Sequence, residues 1–161
     1  MSYFYLYSIR ILQPKMNYPG NKNIPGLIHS IVNQIPVCQN FYEPFAGSAA
    51  VSRFLSVLPG RTVQFYITDL DPAAIDNIVC SSGMRATVTS GFDLIDNLIK
   101  FGSPTDDFIF IDPPYHHSTR PAHTDIYKKE FSHADHVKLL KSVLQLKCNC
   151  MIIHPVCDLY D

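Results

Sequence analysis

Charge is scarce in this chain and balanced in sign. Only 17% of its 161 residues are charged, and the formal net charge is −1. No global basic field therefore marks it for nucleic acid. Paired cysteines at metal or redox spacing are missing too. The five cysteines (Cys38, Cys80, Cys148, Cys150, Cys157) are odd in number and contain no CxxC, which argues against a disulfide framework and for a reducing, cytoplasmic compartment. No apolar run is long enough to cross a bilayer, so no membrane partner is expected. A GxGxxG fingerprint, an internal repeat and a low-complexity linker are all absent. Seven histidines are present, but only His116-His117 and His133/His136 approach ligand spacing. No four-ligand set forms, and no metal site is expected.

What is present is a core. At 47% hydrophobic, the composition is that of one globular domain rather than a disordered chain. Basic residues gather locally: Arg120, Lys128, Lys129, Lys138, Lys141 and Lys147 outnumber Asp125, Glu130 and Asp135. A charge count alone does not separate a binding patch from an ordinary solvated face. Residues 1–15 are apolar and aromatic, without the charged start or small-residue cleavage site of a signal peptide. They read as an extension ahead of Met16, with residues 16–161 as the domain. The rival reading is an edge strand or a partner-binding segment.

The chain alternates strand and helix. Asn17 to Lys22 is a turn-rich loop, followed by a helix with Leu27, Ile28, Ile31, Val32 and Ile35 at helical spacing. Phe41–Phe45 reads as a strand running into a small-residue turn, Ala46 to Ala50, and then a helix with Val51, Phe54, Leu55 and Leu58 inward. Such a turn lets a ligand approach backbone closely. Glu43 beside an apolar run needs a partner, which a cationic ligand or a lysine would supply. Val63–Thr68 is a second strand ending at Asp69, which is placed to bond a ribose diol. Asp71-Pro72 reads as N-cap and N1 of a helix with Ile75, Ile78 and Val79 inward.

Ala86–Thr89 is a weak third strand. Asp93, at the head of the next helix, reads as its cap or as a contact to an adenine amine. Phe108-Ile109-Phe110-Ile111 is a fully buried strand, stopped by Asp112-Pro113-Pro114-Tyr115 because proline cannot join a sheet ladder. A carboxylate and an aromatic ring are thereby held at a strand's carboxyl end, where open α/β sheets bind ligands. His116 to Glu130 is polar and irregular, a lid or a phosphate contact. Ser132-x-x-Asp135 resembles a capping box before a helix with Val137, Leu140, Val143 and Leu144 inward. Cys150–Ile153 is the fifth strand. About five strands in a mostly parallel sheet with helices on both faces give an α/β fold.

Four motifs stand in order: Tyr18-Pro-Gly-Asn-Lys22, Phe41-Tyr-Glu-Pro-Phe-Ala-Gly-Ser48, Thr68-Asp-Leu-Asp-Pro72 and Asp112-Pro-Pro-Tyr115. Together they resemble the Dam-type class of adenine-specific DNA methyltransferases, from Asn17 to the end. The resemblance implies a Rossmann-like class I methyltransferase fold. It also implies S-adenosylmethionine as methyl donor and a flipped adenine in DNA as acceptor. By position, Tyr18 and Lys22 lie against the cofactor. Glu43 to Ser48, with Phe45 and Gly47, form its methionine-side turn. Asp69 holds the ribose, and Asp93 is a candidate for the adenine end. Asp112, which also borders the cofactor, accepts from the target amine. The Pro113-Pro114 region contributes a carbonyl, and Tyr115 stacks on the base.

The chain departs from that family in three places. Ala49 stands where the family usually has glycine. About forty residues separate Asp71 from Asp112, too few for a target-recognition insert. The family's sheet continues for two more strands that are missing here, which would leave an open edge, coverable by a second chain. The alternatives are a non-catalytic cofactor-binding remnant or split half, and an amino-methyltransferase acting on RNA or protein glutamine.

Overall fold

The computed structural model describes residues 9–12, 26–60, 62–78, 83–120 and 127–161, with backbone alone for 9–12. Six strands form one sheet: β1 (Ile9–Leu12), β2 (Asn40–Glu43), β3 (Gln64–Asp69), β4 (Met84–Val88), β5 (Phe108–Ile111) and β6 (Asn149–Ile153). Their order is β1-β6-β5-β2-β3-β4, and every pairing is parallel. The α/β class expected from the alternation is the fold observed. The direction of strand succession reverses between β2 and β5, so the crevice of the fold opens at their carboxyl ends.

One strand exceeds the expected five. Ile9–Leu12 pairs along β6, from Ile9 opposite Cys150 to Leu12 opposite Ile153. The edge expected to be open after the last strand therefore carries a neighbour.

Both faces of the sheet are covered, and the strand residues sort by parity as a pleated sheet requires. Phe41, Phe65, Phe108, Phe110 and Met151 face one layer, with α1 (Leu27–Val32), α2 (Ala50–Ser56) and Ile78 just beyond α3 (Pro72–Asp76). Tyr42, Ile109, Ile111, Cys150 and Ile152 face the other, with α4 (Gly91–Phe101) and α5 (His133–Val143). All four residues of β5 are buried, as expected of a strand covered on both sides.

Local chemistry sets the helix starts. The Asp71 carboxylate accepts from Ala73 N at 3.1 Å, with Pro72 following. Ser132 and Asp135 form the reciprocal capping box. The cap of α4 is Ser90, whose hydroxyl accepts from Phe92 N at 3.2 Å. Asp93 is therefore not the cap; it stands one turn inside and accepts from Thr89 Oγ1 at 3.2 Å. The third strand begins two residues earlier than expected and ends at Val88.

The inward face of α5 is also displaced. Leu144 is 73% exposed, whereas His136 and Leu139 are fully buried. His136 Nδ1 lies 2.8 Å from the Tyr160 hydroxyl, and its Nε2 meets no hydrogen-bond partner among the described residues. A second buried histidine, His154 just after β6, stacks flat on Tyr160 at 3.8 Å.

The start of α4 is packed against the turn after β2. A Cβ at Gly91 would stand 2.2 Å from the Pro44 carbonyl oxygen and 2.5 Å from the Phe45 ring. Gly91→Ala is accordingly expected to destabilise the fold by about 1–3 kcal/mol through overpacking, measurable as a lower denaturant midpoint at unchanged slope. Wild-type stability in that variant would contradict the close approach.

Acid should act through the two buried imidazoles. Burial pushes His136 down to about 3 and His154 down to about 4, whereas an unfolded histidine titrates near ~6.5. Below that pH the unfolded chain binds more protons than the native one. Stability is therefore full above pH ~6.5 and is lost as pH falls toward the folded values. With both sites involved, the slope approaches about 2.7 kcal/mol per pH unit between roughly pH 6 and 4. Urea unfolding across this range measures it, and a flat profile would show that these rings are not held neutral.

Candidate active site

Three strand ends supply the site, and backbone amides without ladder partners organise it. β2 ends at Glu43, whose buried carboxylate accepts from Ser52 N at 3.1 Å and from the Ser52 hydroxyl. The partner that this carboxylate needs thus includes the first turn of α2. β3 ends at Asp69, which ties two turns together. Its Oδ2 accepts from Gly47 N and its Oδ1 from Asp71 N, both at 2.8 Å. Thr68 adds two more links, with its hydroxyl donating to Pro44 O at 3.0 Å and its carbonyl accepting from Ala46 N at 3.1 Å.

The turn between β2 and α2 bends through the left-handed region twice, at Gly47 and at Ala49, both with φ 50°. Glycine adopts that conformation freely, whereas alanine does so at a cost of roughly 1–2 kcal/mol. Gly47 leaves the backbone bare where it borders the crevice.

β5 ends at Ile111, and Asp112 follows directly. Asp112 and Pro113 line one pocket together with Glu43, Phe45, Gly47 and Asp69. A neighbouring pocket shares Phe45, Gly47, Asp69 and Tyr127 and continues past Gly91 and Pro114 to Lys128. One continuous crevice thus joins the acidic end of β5 to the small-residue turn. Its apolar wall is an aromatic cluster: Phe45 stands edge-on to Phe92 and Phe131 at 5.8 and 5.2 Å, and Phe92 stacks on Phe131 at 5.3 Å.

Tyr115 is placed differently from its neighbours. It is 4% exposed and lines neither pocket. Its ring stands edge-on to Tyr127 at 6.4 Å and to His154 at 5.5 Å. Burial and the nearby Asp112 carboxylate hold its phenol well above the ordinary range, with a hydrogen bond to Asp112 contributing. The tyrosine that the crevice does display is Tyr127, whose phenol burial pushes up to about 12. Asp93 lines neither pocket. Tyr18 and Lys22 lie outside the described residues.

The segment after Asp-Pro-Pro-Tyr was read as a lid or a phosphate contact, and its described residues, 116–120 and 127–130, bond to one another beside this crevice. Arg120 is buried, bonds the Tyr115 carbonyl, pairs with Glu130 at 2.6 Å, and lies over the Tyr127 ring at 4.9 Å. Glu130 also accepts from Tyr127 N at 2.7 Å. Lys128 reaches across to Asp71 at 2.6 Å and holds that carboxyl below the usual range. Tyr127 and His154 were not singled out by sequence reasoning, and Arg120 was read there only as part of a local basic excess and of a polar segment. Among the described residues, no three His, Cys, Asp or Glu side chains are arranged to hold a metal ion.

This arrangement can hold a cationic small molecule against carboxylates and bare backbone, with a further carboxylate beside it to accept a proton-bearing group. Residues 87–157 match the family model of the D12 class N6 adenine-specific DNA methyltransferases. The match runs from β4 past β6 and contains the Asp112–Tyr115 motif. No curated protein matches the chain. Over residues 87–157, then, the chain is similar to the D12 class N6 adenine-specific DNA methyltransferases.

Proposed function

We propose that this chain is the catalytic core of a DNA N6-adenine methyltransferase that uses S-adenosylmethionine, with the six-stranded sheet, β1 included, as the scaffold of its catalytic domain. The observation that carries the reading is the meeting of Asp112, Gly47 and Asp69 in one pocket at the point where strand order reverses. The likeness of residues 87–157 to the D12 class N6 adenine-specific DNA methyltransferases supports adenine in DNA as the acceptor.

The residues fit the proposed cofactor. Glu43, Asp69 and Asp112 make the smaller pocket acidic, which suits a sulfonium cation. Each Asp69 oxygen accepts one backbone amide and keeps acceptor capacity for a hydroxyl. The aromatic wall of Phe45 and Phe131 in the larger pocket offers a face for a purine. When bound, this cofactor supplies an activated methyl group.

The protein's part is placement. An exocyclic adenine amine is a poor nucleophile because its lone pair is delocalised into the ring. Asp112 is positioned to accept from one N–H of that amine and a carbonyl of the Pro113-Pro114 region from the other. These bonds localise the lone pair toward the methyl. Fixed dipoles and in-line approach provide most of the acceleration. Extrusion of the base costs a few kcal/mol, and an aromatic platform returns on the order of 1–3 kcal/mol. Tyr127 faces the crevice, and Tyr115 lies directly behind it. Stacking on Tyr115 therefore requires Tyr127 to move aside.

Incubation with labelled S-adenosylmethionine and DNA, RNA or protein tests the reading. Label is expected on adenine N6 in DNA, and label on RNA or protein alone would replace it with the corresponding amino-methyltransferase. Cofactor binding with no transfer to any acceptor would favour the non-catalytic remnant. Asp112→Ala is expected to lower turnover by on the order of 10²–10³-fold with the fold intact; undiminished turnover would remove its assigned role. Asp69→Ala is expected to weaken cofactor binding by about 10–100-fold, the loss of a charged hydrogen bond. Calorimetry reads this directly, and unchanged affinity counts against a ribose contact.

A further inference from the structure

The stretch that follows Pro113-Pro114 has left the sheet, so its backbone groups need partners elsewhere. Two side chains from outside the motif supply them at the Tyr115–His116 peptide. The Tyr115 carbonyl accepts from the Arg120 guanidinium. The His116 N–H donates to His154 Nε2 at 2.9 Å. The carbonyl and the amide of one peptide unit, Tyr115–His116, are therefore gripped from both sides.

We infer that His154 is a positioning residue for the catalytic motif, acting by holding the Tyr115–His116 peptide. The inference rests on the methyltransferase reading above. His154 is fully buried at the carboxyl end of β6. Its tautomer is fixed by two independent partners. Nδ1 lies 2.7 Å from the Pro155 carbonyl, which can only accept, so Nδ1 carries the proton. Nε2 is then the bare nitrogen, and it accepts from His116 N. The ring cannot swing, because Tyr160 stacks on one face at 3.8 Å while Tyr115 and His136 stand edge-on at 5.5 and 5.4 Å.

The grip on the peptide is transmitted to the reacting group. Fixing that peptide fixes the Cα–Cβ direction of Tyr115, whose phenol stands beside the Asp112 carboxylate and which is joined to Asp112 through two prolines of fixed φ. His154 thus sets the aim of Asp112 without touching the crevice, as it lines neither pocket. The separation of roles is clean in chemical terms. Asp112 meets the acceptor amine, Tyr115 orients Asp112, and His154 with Arg120 orients Tyr115.

The test compares His154→Phe, which keeps an aromatic ring but offers no acceptor, with His154→Gln, whose amide oxygen can stand near the Nε2 position. With the full chain and a DNA acceptor, His154→Phe is expected to lower kcat by on the order of tenfold to a hundredfold, with cofactor affinity within about twofold of wild type. His154→Gln is expected to recover a large part of that loss. Amide hydrogen exchange at His116 provides a readout independent of turnover: protected in wild type, unprotected in His154→Phe and protected again in His154→Gln. Nitrogen NMR of the wild-type ring is expected to show the Nδ1–H tautomer at neutral pH.

Full kcat in His154→Phe, no recovery in His154→Gln, or His116 protection unchanged by His154→Phe would each overturn the inference. Absence of methyl transfer by the wild-type chain would overturn the methyltransferase reading instead. His116 protection would still decide whether His154 holds the peptide.

Discussion

The two oxygens of Asp69 hold the site together. A strand that ends in a parallel sheet leaves its last amides and carbonyls without ladder partners, and so do the turns that follow. One carboxylate at the end of β3 answers this for two turns at once, taking Gly47 N from the loop after β2 and Asp71 N from the loop after itself. Glu43 does the same for α2 through Ser52. The crevice walls are therefore set by charge-assisted bonds to backbone, which are stronger than neutral ones. A ligand that reaches these carboxylates meets groups already aimed by the fold. It also shares them with the scaffold, so any change at Asp69 alters shape and recognition together.

The electrostatics of the crevice follow from the same placement. Acids concentrate in its floor, at Glu43, Asp69 and Asp112, while lysines stand at its margin. Lys128 is tied to Asp71, so the local basic excess in this half of the chain is partly neutralised by an acid from the other half. A charge count along the chain cannot reveal that pairing. Arg120, Tyr127 and Glu130, from the described ends of the polar segment between Tyr115 and Phe131, are likewise bonded to one another beside the site.

Features with short-range causes were legible in the sequence. Four successive apolar residues stopped by two prolines define β5, and the Ser132/Asp135 and Asp71/Pro72 starts are chemistry within three residues. The strand ends that carry Glu43, Asp69 and Asp112 were legible for the same reason. What escaped depends on distant partners. Helical spacing favoured Val137, Leu140, Val143 and Leu144 as the inward stripe of α5; Val143 is buried and Leu140 packs against the core, but Leu144 is exposed and His136 is drawn inside by Tyr160, Phe131 and His154. Ser90 and Asp93 are both good capping residues, and only backbone geometry decides between them. Tyr115 looked like an open platform because nothing nearby in sequence signals that Tyr127 and His154 will enclose it.

The sheet edge formed by Ile9–Leu12 bears on how the molecule is assembled in time. Its partner, β6, is the last strand of the sheet, and their pairing has the widest separation along the chain of any strand pair described. Of the described strand pairs, this one closes the longest loop and carries the largest entropic cost of closure. Such a cost favours late docking, with one hydrogen-bonding rim of β6 bare until Ile9–Leu12 reaches it.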